Sequence, residues 1–267
     1  MDRVNFFWIL ASYTSALGLD IAFQRLQRPL LRWLSLGFGV AGLVAQTIYL
    51  GVQKPDLSWQ GGGLLAVAWV LAIFYLVGSL HHPRLAWGVF VLPVVVGFVG
   101  LASAFPRPPQ ALLFDGEKLF AQLHKWLLLA SSVGLAIGFL ASLMYLVQSA
   151  RLRAKQIPGP GFRLLSAQRL ETMNRRAIIW TFPLLSVGML LGLVMMFRPG
   201  EQPTSWTDPR VLTSFVLWIV FALLLYLRLR EQLGGRQTSY LTIVTFALML
   251  LCLVLAHPSA VAGGVSP

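Results

Sequence analysis

Charged side chains are scarce in this sequence, 11% of its residues where soluble domains carry about 25%. Acids are the scarcest, nine against twenty-one lysines and arginines. Hydrophobic residues make up 57% of the 267, and so few charges would leave a soluble fold with large bare apolar patches. The single cysteine, Cys252, excludes an intramolecular disulfide and any cysteine-cluster metal site. It lies in an apolar run and reads as inert packing. There is no Gly-x-x-x-x-Gly-Lys-Ser/Thr loop to cradle a nucleotide, so the chain does not itself hydrolyse ATP. It also lacks the intramembrane carboxylate ladder of a proton pump. No Ser, His and Asp order points to a hydrolase, and the reading leans away from an enzyme. The net charge of +12 fits basic loops pinned at one side of a membrane better than a nucleic-acid surface.

What the sequence has in quantity is long apolar runs. A membrane span needs about 20 mostly apolar residues. Eight stretches qualify: Val4–Phe23, Trp33–Val52, Gly62–Leu80, Leu85–Ala104, His124–Gln148, Ala177–Phe197, Val211–Leu229 and Ser239–Ala256. They are too long and too evenly apolar for barrel strands, so helices must satisfy their backbones. The expected fold is all-α, a polytopic transmembrane helix bundle forming one integral membrane domain over 1–267. The first run continues to Phe23 without an Ala-x-Ala-like cleavage site, so it is expected to be a span and not a cleaved signal. Gly134/Gly138 and Gly188/Gly192 are small-xxx-small pairs suited to close helix packing.

The loops set an expected orientation. Those after spans 1, 3, 5 and 7 hold fourteen basic residues against seven on the other side. The richer side is expected to be cytoplasmic, with both termini outside. Trp33, Trp59, Trp87, Trp126, Trp180 and Trp206 fall near span ends, where an aromatic belt belongs. The longest loop, 150–176, opens with Pro158-Gly159-Pro160-Gly161. Its second half, 166–176, has the pattern of a short amphipathic helix lying on anionic headgroups, with Leu165, Leu170 and Met173 on one face. It is alternatively a docking site for a soluble partner.

Few polar residues remain to carry chemistry. Asp20, near the inner end of span 1, is expected to reach the interface or pair with Arg25. His81 and His82 read as solvated loop histidines. His124 opens span 5 and His257 closes span 8 on the same outer side. Neutral imidazole is a good axial ligand for haem iron, and two such residues can clamp it from opposite faces. The alternative for each is interfacial decoration. The stretch Ser205-Trp206-Thr207-Asp208-Pro209-Arg210-Val211 precedes span 7. Asp208 suits a helix cap and Pro209 a first helical position, which leaves Trp206 as an interface anchor or a flat surface for a planar ligand.

Three stretches resemble the cytochrome c assembly membrane-protein family, the CcsA/CcmC group and most closely its HemX-like branch. The first is Leu123-His124 followed by a long span ending Tyr145-Leu146-Val147-Gln148. The second is Leu170-Glu171-Thr172-Met173-Asn174-Arg175-Arg176-Ala177 leading into Phe182-Pro183-Leu184-Leu185. The third is Trp206-Thr207-Asp208-Pro209-Arg210-Val211 leading to Leu225-Tyr226-Leu227-Arg228. The resemblance is strongest over 110–267. It implies a membrane haem-handling protein that holds haem (heme b) at the outer face and presents it to apocytochrome c or another assembly protein. By position it makes His124 and His257 axial ligands to the haem iron. Trp206 would then pack on the porphyrin, with Asp208 and Arg210 ordering the loop or meeting the propionates. Arginine suits a carboxylate because its fork binds bidentately. The family pattern W-G-x-x-W-x-W-D keeps only one tryptophan here. The expected location is a bacterial cytoplasmic (inner) membrane. Two alternatives stand beside this reading: a regulator or scaffold of haem biosynthesis acting through the 150–176 loop without haem, and a small-molecule permease subunit.

Overall fold

The structure is a computed structural model and describes residues 2–53, 55, 60–82, 85–105, 119–155, 163–197, 207, 209–230 and 233–255. Trp59, Arg84, the 158–161 stretch, Trp206, Asp208 and His257 lie outside the described residues.

Eight helices account for nearly all of it: α1 (Asp2–Leu26), α2 (Pro29–Gln53), α3 (Gln60–His81), α4 (Trp87–Ala104), α5 (Leu119–Arg153), α6 (Ala167–Met196), α7 (Pro209–Leu229) and α8 (Gly235–Leu255). Each is long and apolar enough to cross a membrane. Among the described residues there is no strand, only an isolated bridge between Leu85 and Arg163. The helices alternate in direction, so α1–α2, α3–α4, α5–α6 and α7–α8 turn at the same end, which carries most of the arginines.

The bundle has two halves. In the first, α1 packs on α2 and α4, and α3 on α4. In the second, α5 packs on α6 and α8, and α7 on α8. Phe246 of α8 joins them, its ring 4.1 Å from Phe139 of α5 and 6.1 Å from Phe98 of α4, both near parallel. Apolar side chains gain little by leaving lipid for one another, so tight packing and buried hydrogen bonds hold membrane helices together. The Tyr13 hydroxyl donates to Gln46 at 2.7 Å, and the Gln46 amide donates to the Leu65 carbonyl at 3.0 Å, which ties α1, α2 and α3. The Asn174 amide of α6 reaches Ser142 of α5 at 2.6 Å and Thr242 of α8 at 3.2 Å.

Three local expectations are overturned. The 166–176 segment is not a separate helix on the headgroups but the first three turns of α6. Ser166 caps it by accepting the Arg169 N–H at 3.4 Å. Leu170 and Asn174 are buried against the bundle, and no helix breaker separates them from the apolar run that follows. Asp20 does not reach the interface. It is buried and accepts the Val89 backbone N–H at the start of α4, whose preceding residue, Ala86, offers no side-chain cap. Gly88 makes the approach possible, since a Cβ there would lie 2.5 Å from the Asp20 carboxylate. Trp87 is not a belt residue: it is buried edge-on to Phe74, in space left by Gly78. Trp33, Trp126 and Trp180 are exposed on the bundle surface.

Candidate functional site

His124 is the one expected site residue whose side chain is described. It lies in the second turn of α5, half-buried against α6. Its Nδ1 is 2.6 Å from the Gly188 carbonyl. A carbonyl only accepts, so Nδ1 carries the proton and donates it. The neutral ring is thereby fixed as the tautomer whose Nε2 lone pair is free for a metal. Glycine makes room for the ring one turn further along α6: a Cβ at Gly192 would stand 2.8 Å from His124 Cε1. The Gly188/Gly192 spacing, read in the sequence only as packing, thus forms a cradle for an imidazole.

Exposed apolar side chains are frequent at the end of the bundle where His124 sits. Leu119, Leu123 and Trp126 of α5, Phe197 after α6 and Leu212 of α7 are all exposed at this end of the bundle. The start of α7 and the end of α8 lie at the same end of the bundle. α8 runs antiparallel to α5, and near its end Cys252 donates to the Thr213 carbonyl of α7 at 3.2 Å. Leu255, two positions before His257, and Pro209, directly after Asp208, therefore close and open helices at the end where His124 sits. Arg210 lies in the first turn of α7; its side chain is not among those described.

Two cavities lie elsewhere, toward the arginine-rich end. One, of about 780 Å³, follows the α5–α6 seam from Arg169 past Arg176 and Trp180 to Leu184. The other, of about 540 Å³, lies between the α3–α4 turn and the segment before α6, and it includes His81 and His82. Among the described residues no three His, Cys, Asp or Glu side chains gather as ligands for a bare metal ion. A macrocycle that brings four nitrogens of its own needs only one or two axial ligands from the protein, which His124 can supply.

Sequence reasoning also missed a part-buried ion pair. Arg228 of α7, buried, meets Glu171 of α6 at 2.9 Å and donates to Thr238 of α8 at 3.4 Å. No local pattern announced it, because the partners are 57 positions apart.

A family model described as cytochrome C assembly protein matches residues 35–257, so the match reaches back through α2, well before residue 110. A cytochrome c biogenesis protein CcsA from Synechococcus sp. (strain CC9605) is 25% identical over 86% of this chain and 88% of its own length. The protein of the same description from Gloeobacter violaceus is 26% identical, over 92% and 89%. That from Guillardia theta is 24% identical, over 94% and 90%. Among solved structures, the cytochrome c heme lyase CcmF superposes with a TM-score of 0.62 at 16% identity, covering 96% of this chain and 46% of its own. That similarity is one of fold.

Proposed function

This chain belongs to the cytochrome c assembly protein family, and from that premise we propose that it binds haem at the end of the bundle where α5 begins and presents it to a partner in cytochrome c maturation. It is a multi-pass integral membrane protein. Its His124 has what an axial ligand requires: a ring held in place and a free Nε2 fixed by the 2.6 Å bond to the Gly188 carbonyl. That bond carries the reading. Bound haem would supply an iron that takes imidazole nitrogen and an apolar macrocycle with two carboxylates.

Each residue then has a task. The Gly188 carbonyl orients His124 and raises its basicity, as outer partners of metal-bound histidine do. Leu119, Leu123 and Trp126 offer the macrocycle an apolar rim and exclude water from one side. His257 is the candidate second axial ligand, Trp206 the candidate stacking surface, and Asp208 and Arg210 the candidate partners of loop and propionates. The arginine-rich end faces the cytoplasm of a bacterial inner membrane in this reading, and His124 faces outward, where an apocytochrome c is met. The helices pass unbroken through Pro93 and Pro183, so the broken helices of a permease do not occur among the described residues.

The test is a haem titration of the purified full-length protein, followed by its visible spectrum, beside a His124→Ala/His257→Ala variant. The wild type is expected to show a Soret band that the double variant loses or shifts. A wild type that stays colourless after haem is supplied overturns the reading.

A further inference from the structure

Because the 166–176 segment stands upright as the start of α6, its arginines border a groove. Arg169, Met173, Arg176, Trp180 and Leu184 recur at helical spacing along one face of α6, and all of them line the 780 Å³ cavity of the α5–α6 seam. That cavity divides by polarity. Toward the arginine-rich end it is lined by Arg169, Thr172 and Arg176, and beyond them Ala130, Ile137 and Leu184 leave it apolar. Ala130 and Trp180 on its border are exposed on the bundle surface, so the groove opens sideways, toward the lipid that surrounds a membrane bundle.

Depth and charge select what fills it. α6 has 30 residues, about 45 Å of helix, which matches a bilayer with its headgroups at about 40–45 Å. The rise from Arg169 to Leu184 is about 22 Å, half of that thickness. The groove thus runs from headgroup depth to the middle of the bilayer, the length of one leaflet. Both arginines are exposed, and among the described residues neither guanidinium has a carboxylate partner. Glu171, between them in the chain, is committed to Arg228. Two such guanidiniums beside the first turn of a helix favour a phosphate. A zwitterionic lipid carries its own cation beside the phosphate, so the pair of arginines favours lipids of net negative charge.

We propose that the α5–α6 groove holds one anionic phospholipid, its phosphate between Arg169 and Arg176 and an acyl chain against Ala130, Ile137 and Leu184. The inference does not depend on the haem reading and uses none of the residues assigned there. Seated in the groove, the lipid braces the same two helices whose contact carries the bond from His124 to the Gly188 carbonyl farther along.

The experiment is native mass spectrometry of the full-length protein, delipidated in detergent and titrated with phosphatidylglycerol or with phosphatidylcholine of the same acyl chains. The wild type is expected to retain one phosphatidylglycerol per chain at detergent levels that strip phosphatidylcholine. Arg169→Gln/Arg176→Gln is expected to weaken that retention about tenfold or more. Arg153→Gln/Arg175→Gln removes the same charge at the same end of the bundle but outside the groove, and should retain the lipid as wild type does. Ala130→Phe fills the apolar half with both arginines in place and should weaken retention too. Glycerol phosphate, a headgroup without chains, is not expected to displace the lipid. All five substituted residues are exposed, so melting temperatures without added lipid should match wild type and show that each variant folds. The inference is overturned if phosphatidylglycerol is held no better than phosphatidylcholine, or if Arg169→Gln/Arg176→Gln retains it as wild type does. Equal loss in the Arg153→Gln/Arg175→Gln control, full retention by Ala130→Phe, or displacement by glycerol phosphate overturns it as well.

Discussion

Replacing Gly192 by valine is expected to weaken haem binding tenfold or more while every candidate ligand stays in the chain. A Cβ at Gly192 would come within 2.8 Å of His124 Cε1 and 3.2 Å of its Nδ1. The imidazole would have to swing away and lose its bond to the Gly188 carbonyl, and with it the tautomer that bares Nε2. Loss of an outer partner of a metal-bound histidine commonly costs 10–100-fold in affinity, so about tenfold is the lower bound. The control lies in the same helix seam. At Gly138 a Cβ would meet Ala177 at 3.4 Å and Thr242 at 3.5 Å, ordinary contact distances. Gly138→Ala is therefore expected to keep haem affinity and melting temperature near wild type. Haem titrations of the two variants separate a cradle for His124 from a general need for small residues between α5 and α6.

The second large effect is on stability. Glu171→Ala is expected to cost the folded bundle about 2 kcal/mol. The change leaves the Arg228 guanidinium, only 9% exposed, without its carboxylate. Breaking a fully buried pair costs about 3–5 kcal/mol. The figure is lower here because Glu171 is 39% exposed and water can reach the vacated position. The charge left behind causes the loss, so removing it as well should restore stability. Arg228→Met in the Glu171→Ala background is expected to recover most of the lost melting temperature, because apolar replacement of both partners of a buried pair is often neutral. Thermal unfolding of the two single variants and the double variant in one detergent measures this. If the double variant is no more stable than Glu171→Ala, the pair is not the source of the loss.

Much of the fold was legible in the sequence because a bilayer imposes a simple rule on it. Each run of about 20 apolar residues became a helix long enough to span. Boundaries failed where polar residues found partners inside the bundle. The 166–176 segment looked amphipathic and therefore superficial, yet Leu170 and Asn174 are buried because α5 and α8 offer Ser142 and Thr242 to the asparagine amide. Asp20 looked destined for the interface, but the uncapped start of α4 lies within its reach. Partners of this kind are set by how the helices cross, and spacing along the chain does not record it.

The site was legible in a similar way. His124 stood out as an imidazole at the edge of a span, and the family resemblance gave it a task. The Gly188 carbonyl that fixes its tautomer is 64 positions away, so only the fold could supply it. The glycine pair was visible, but its purpose was not.

The central claim is that His124 Nε2 binds haem iron, and the most direct measurement is chemical rescue of His124→Gly. Purified variant loaded with haem is expected to show a Soret band that is weakened or shifted. Adding free imidazole should bring it back toward the wild-type position, since the small ligand can enter the space the side chain vacates. A variant whose spectrum matches wild type before any imidazole is added would contradict the claim.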